Sequence, residues 1–114
     1  MSHEKFQSCI DACYQCATEC VHCANACMDE KEVNDLTRCI KINLECADMC
    51  LLAAKMMAGH SEFSGQICEL CSSVCESCAE ECESHSHMEH CKKCAEICMK
   101  CAEECRVLVR ETVM

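Results

Sequence analysis

The chain has 114 residues and a formal charge of −10. It is sized for one domain, and it lacks the basic balance needed to bind DNA, RNA or an anionic membrane. There are 19 cysteines, no proline and two glycines, and three aromatics (Phe6, Tyr14, Phe63) with few Leu, Ile and Val leave little material for an ordinary core.

No apolar run approaches the ~18 residues of a membrane span. Residues 1–9 contain no apolar stretch and no small-residue cleavage site. The expectation is a cytoplasmic chain whose thiols stay reduced. Cysteine clusters in that setting point to metal or redox chemistry rather than disulfides, and an odd count cannot pair fully.

Four helices are predicted in an all-α chain rich in Ala, Glu, Lys, Met and Leu. The first covers about residues 2–28 and gives way to the charged stretch Asp29, Glu30, Lys31, Glu32, with Asn34 as an N-cap. The second covers about residues 35–58 and stops at Gly59, a suitable C′ residue. Ser61 caps the third, over about residues 62–84. Ser86 and Glu89 read as a capping box for the fourth, over about residues 87–111. Each helix has about 24 residues and spans about 36 Å. Short connections join antiparallel neighbours, so residues 1–114 are expected to form a single up-down-up-down four-helix bundle.

The cysteines carry the periodicity. The first helix holds Cys9, Cys13, Cys16, Cys20, Cys23 and Cys27, stepping 4, 3, 4, 3, 4. The third holds Cys68, Cys71, Cys75, Cys78 and Cys82, and the fourth Cys91, Cys94, Cys98, Cys101 and Cys105; both step 3, 4, 3, 4. These are the inward a and d positions of a bundle. The second helix has Cys39, Cys46 and Cys50. Its seam reads Cys39, Ile42, Cys46, Met49, Ala53 and Met56, which leaves Cys50 one place off and 18 of the 19 cysteines facing inward. The same helix bears a second apolar stripe, Ile40, Leu44, Ala47, Leu51 and Ala54, about 130° from that seam. A helix apolar on two faces contacts something besides its own core. The stripe is therefore read as an interface between copies of the chain, the alternative being scattered surface apolar residues.

A sulfur-lined seam is poorly explained as packing. Cysteine is too small to fill a four-helix core without cavities, and a chain selected only to fold would use leucine. Metal binding is the remaining reading. Positions i,i+3 and i,i+4 place Cβ atoms about 5–6 Å apart. A linear two-thiolate site needs sulfurs about 4.5 Å apart, twice a metal–sulfur bond near 2.3 Å. When Cu⁺ replaces a thiol proton no net charge enters the core, whereas Zn²⁺ held by four thiolates leaves −2 at each site. Soft thiolates also select Cu(I), and with every thiolate bridging two ions the ceiling is about 19 per chain. The alternative is a general thiolate buffer for Zn²⁺ or Cd²⁺. No cysteine stands apart with an activating neighbour, and no Gly-rich loop or triad is present, so an enzyme is not expected.

The three long cysteine seams, 9 to 27, 68 to 82 and 91 to 105, closely resemble the bacterial copper storage proteins, cysteine-rich four-helix bundles, over the whole chain. The resemblance implies a bundle filled with multiple Cu(I) ions held mainly by cysteine pairs, and a homotetramer. Members with export signals store copper outside the cytosol, so this sequence resembles the cytosolic branch.

The topology gathers two different ends. One collects Phe6, Met56, Met57, Phe63, Val107, Leu108 and His60 as an apolar plug. The other collects Cys27, Met28, Cys82, Cys91 and the possible mouth ligands His85, His87, Met88 and His90, since imidazole and thioether also bind copper. Solvated histidines in a polar turn are the equal alternative. His22 is read as packed or solvent-facing, and Glu80, Glu81, Glu83, Glu103 and Glu104 as a solvated face.

Overall fold

The computed structural model describes residues 4–113, with side chains placed over residues 6–111. Helix α1 covers Glu4–Met28, α2 Thr37–Ala58, α3 Ser64–Glu83 and α4 Glu89–Val113, and a short 3-10 turn, Val33–Leu36, leads into α2. The expected helix start near Ser2 lies outside the described residues. No strand occurs among the described residues.

The helices form a closed ring. Backbones of α1 and α2, α2 and α3, α3 and α4, and α4 and α1 pack side by side, whereas the diagonal pairs α1/α3 and α2/α4 stand apart. This is the antiparallel up-down-up-down bundle that short connections impose. It is a rod of 50 × 19 × 18 Å.

The turns differ in detail from the sequence reading. Asn34 lies within the 3-10 turn, and α2 starts three residues later. At the end of α2 the left-handed residue is His60, with φ 55°, and not Gly59, which sits at φ −87°. The amide of His60 donates to the Met57 carbonyl and that of Ser61 to the Met56 carbonyl, each at 3.0 Å. These are the two bonds of a Schellman motif, and they fix His60 as its C′ residue. Ser61 shapes the following turn: its hydroxyl accepts the Phe63 amide at 3.0 Å, and its carbonyl accepts the Ser64 hydroxyl at 2.8 Å. Helix α4 opens at Glu89 with the Met88 carbonyl accepting the Lys92 amide at 3.0 Å.

All 19 cysteines are buried, none more than 3 % exposed. In α1, α3 and α4 the core face is the predicted seam. In α2 the seam is Cys39, Asn43, Cys46, Cys50, Ala53 and Met57, all fully buried. Cys50 is therefore a core residue. Ile42, Met49 and Met56, assigned inward from the sequence, are only half-buried. The true α2 seam steps 4, 3, 4, 3, 4, the same rhythm as α1, and it is turned about 50° from the predicted one. That rotation also carries Ala47 and Ala54 of the second stripe into the core, leaving Leu44 and Leu51 of that stripe exposed and Ile40 half-buried.

Candidate metal centre

The narrow bundle brings sulfurs into contact across the gaps that the backbones leave open. Along the α1/α3 diagonal, Cys16 Sγ lies 4.0 Å from Cys75 Sγ and Cys20 Sγ 4.0 Å from Cys78 Sγ. Along the α2/α4 diagonal, Cys50 Sγ lies 4.0 Å from Cys101 Sγ. Adjacent helices meet more closely, as at Cys9–Cys105 and Cys20–Cys98, both 3.6 Å. No disulfide is formed, and every thiol is free.

The sulfurs form overlapping groups in which all ligand atoms lie within 4.8 Å of one another. Toward the plug end stands Cys13, Cys71, Cys101 and Cys105. The middle holds Cys16, Cys46, Cys50 and Cys75, then Cys16, Cys20, Cys46 and Cys98, then Cys20, Cys78, Cys94 and Cys98. At the end expected from the sequence to form a mouth, the group is Cys23, Cys27, Cys91 and His90. Cys16, Cys20, Cys46 and Cys98 each belong to at least two groups, which joins the three middle groups, and the Cys50–Cys101 contact at 4.0 Å links them to the group at the plug end. Sulfurs at 3.6–4.0 Å are in van der Waals contact. A rotamer change at one of a pair opens it toward the about 4.5 Å of a linear S–metal–S unit.

The charge environment constrains the ion. Among the described residues the buried polar side chains are Asn43, Ser64 and Ser72, and no lysine or arginine is buried. Nothing cationic in the core balances thiolates, so a bound ion must do so itself. Burial pushes the Cys27 thiol up to about 11. Burial likewise raises Cys91, and negative charge on Cys39 and Cys27 would raise it further. Such thiols are protonated at neutral pH, so a metal ion would have to displace that proton to bind there.

Asn43 is the buried residue that the sequence reading missed. Its Oδ1 accepts hydrogen bonds from the thiols of Cys94 at 3.1 Å and Cys78 at 3.3 Å, and its Nδ2 donates to the Cys39 carbonyl at 2.8 Å. A signal was available, because residue 43 completes the 4, 3, 4, 3, 4 rhythm through Cys50. The mouth histidines separate. Nδ1 of His90 stands 3.5 Å from Cys23 Sγ and 3.6 Å from Cys91 Sγ. His85 instead pairs with Glu81 at 3.0 Å, His87 is exposed, and Met88 is buried at the start of α4. His22 is exposed. At the other end Phe6, Met57 and Leu108 are buried and the Phe6 ring meets His60 edge-on at 5.7 Å, whereas Phe63 is exposed.

A family model for copper storage proteins matches residues 2–110. The fold is similar to a cytosolic copper storage protein of Streptomyces lividans carrying five coppers, with a TM-score of 0.91, 37% identity, and coverage of 95% of this chain and 94% of that one. It is similar to apo copper storage protein 3 of Bacillus subtilis, with a TM-score of 0.86, 42% identity, and coverage of 91% and 98%. An uncharacterised cysteine-rich protein of B. subtilis, YhjQ, is 45% identical over 81 residues, which are 71% of this chain and 75% of that protein. With nearly its whole length matched, and with a continuous buried thiol array on the same bundle, the chain belongs to the copper storage protein family.

Proposed function

We propose that this chain stores many Cu(I) ions in the cytoplasm, using all 19 cysteines as the storage ligands and His90 as an accessory ligand at the mouth. The observation that carries this reading is the array of shared sulfur groups in a core with no buried cation among the described residues. Sharing lets one monovalent ion per thiolate fill the core at neutral charge. Related structures add support: the Streptomyces lividans protein has been seen with ten copper equivalents, and a Bacillus copper storage protein with Cu(I) bound. Among the described residues no helix is long and apolar enough to cross a membrane. The chain is proposed to act as a single storage domain, not as an enzyme.

The test is an anaerobic Cu(I) titration of the reduced protein against a strong Cu(I) chelator. Tight uptake of many ions per chain, toward one per cysteine, is expected. Saturation at one to four ions would mean a discrete site instead. A second reading, a general buffer for Zn²⁺ or Cd²⁺, is favoured by the four-sulfur groups themselves, since four converging thiols also suit a tetrahedral ion. Zn²⁺ run in parallel separates the two.

We also propose self-association through the outer groove between α1 and α2. On both helices the residues following the core cysteines are apolar, and Tyr14, Val21, Leu44 and Leu51 are exposed. Both stripes are offset from their seams in the same rotational sense. Because the helices run antiparallel, they turn toward one another and form one patch.

A further inference from the structure

His90 sits between a carboxylate and two core thiols. Its Nε2 lies 2.9 Å from Glu30 Oε2, while its Nδ1 faces Cys23 at 3.5 Å and Cys91 at 3.6 Å. The His90 side chain is 14% exposed and that of Glu30 33%. They come from different elements, Glu30 from the connection after α1 and His90 from the first turn of α4. A groove lined by Thr18, Glu19, His22, Glu89 and Lys93 leads from solvent to His90.

An ionised carboxylate only accepts hydrogen bonds, so the hydrogen in the Glu30 contact belongs to Nε2. A neutral imidazole carries one N–H, so Nδ1 then presents its lone pair to Cys23 and Cys91. We propose that Glu30 is the positioning residue of the mouth. It fixes His90 as the Nε2–H tautomer, and the Nδ1 lone pair orders the thiols of Cys23 and Cys91 for the first incoming Cu(I). This deepens the storage reading and rests on it. The device is economical in structure: the Glu30 amide donates to the Cys27 carbonyl at 3.1 Å, so the turn is held by backbone and the carboxylate is left to reach across to α4.

The test uses the full chain, reduced, in two arms. In the apo protein, long-range ¹H–¹⁵N correlation of the imidazoles, with His90→Ala to identify the signals, should show the Nε2–H tautomer of His90. Glu30→Gln keeps an acceptor oxygen and should keep that tautomer; Glu30→Ala should populate Nδ1–H. In stopped-flow transfer of Cu(I) from a chelator, Glu30→Ala should slow the early phase about 10-fold, as loss of an outer partner does elsewhere. Final capacity should stay unchanged, and Glu30→Gln should load like the wild type. In a His90→Ala background, Glu30→Ala should add no further slowing.

An unchanged tautomer in Glu30→Ala, a doubly protonated His90 in the wild type, or undiminished slowing in the His90→Ala background would each overturn the positioning role. A shifted tautomer with unaltered loading would overturn its purpose. A wild type that takes up no Cu(I) would sink the storage reading and the loading role with it, and the apo tautomer arm would show whether the Glu30–His90 geometry itself was right.

Discussion

Asn43 Oδ1 accepts a hydrogen bond from the Cys94 thiol at 3.1 Å, joining α2 to α4 across the bundle diagonal. The same oxygen receives Cys78 of α3, and the amide nitrogen returns to the Cys39 carbonyl one turn earlier. One fully buried amide thus ties three helices in a core lined mainly by weakly hydrogen-bonding thiols. Asn43→Ala removes these partners and leaves a cavity. The expected loss is about 2–3 kcal/mol in the reduced apo protein. For a domain of this length that lowers Tm by about 8–12 °C. Asn43→Leu fills the space and should lose roughly half as much. Thermal unfolding followed by circular dichroism decides, and an alanine variant as stable as the wild type would show that the thiols alone organise the core.

Much of this architecture is legible in the sequence because the cysteine spacing is long and regular. Steps of 3 and 4 sustained over five or six cysteines define a helix face to within one residue, and in α1, α3 and α4 the buried face is that one. Helix α2 has three cysteines, and its interval from Cys39 to Cys46 admits either residue 42 or residue 43 between them. Hydrophobicity favours Ile42. The core takes Asn43, because thiols from α3 and α4 satisfy its carbonyl oxygen, and no local pattern records partners so distant in the chain. Cys50 followed from the same slip. The Glu30–His90 contact is hidden for the same reason: 60 residues separate its partners. The apolar stripe on α1 was readable, since Ile10, Tyr14, Ala17 and Val21 each follow a cysteine, but the cysteines dominate that helix.

The turn after α2 makes a second prediction. His60 is held at φ 55° by the two Schellman bonds, a conformation in which β-branched side chains are strained. His60→Val should cost about 1–2 kcal/mol. His60→Gly relieves the backbone but loses the edge-on contact with Phe6, and these offset to within about 0.5 kcal/mol. Denaturant midpoints of the three proteins should rank glycine near wild type and valine clearly below. Equal midpoints for all three would mean that this turn does not constrain the fold.

The buried thiols make the apo bundle sensitive to alkali. The Cys27 thiol ordinarily titrates at 9.0 and is raised to about 11 by burial, and Cys91 is raised in the same direction. At Cys27 and Cys91 the folded state therefore keeps protons that the unfolded chain releases. The stability this provides is fully present below pH 9.0 and is lost as pH rises through about 11. Urea midpoints of reduced apo protein should hold steady from pH 7 toward 9 and then fall. Cu(I)-loaded protein, with no thiol protons left to lose, should fall far less. A flat apo profile to pH 11 would show that the core accommodates free thiolates.

The exposed patch between α1 and α2 gives a test of assembly. Leu51 and Tyr14 are 45% and 49% exposed on helices whose inner faces are already packed. Leu51→Lys places a charge in the proposed contact and should reduce the mass measured by sedimentation. Leu70→Lys, on α3 and equally exposed at 50%, should not. Both sites are on the surface, so circular dichroism should be unchanged in each, with a stability cost within about 0.5 kcal/mol. A wild type that sediments as a monomer removes the proposal outright.

The last prediction concerns protons released by metal. If each thiol is protonated at neutral pH, a Cu(I) that bridges two shared thiolates displaces on average one proton at saturation, and the core stays neutral. The first ions, bound before sharing is possible, draw on two thiols each, so the release per ion should begin near two and decline as the array fills. Zn²⁺ in separate four-thiolate sites would release more than two per ion throughout and leave negative charge in a core that has no buried cation among the described residues. Weakly buffered titrations with a pH indicator, run to saturation with each metal, measure this directly. A total near one proton per Cu(I) supports the shared neutral array. A total near two at saturation would mean isolated pairs, and would cut the capacity the 19 cysteines can provide by about half.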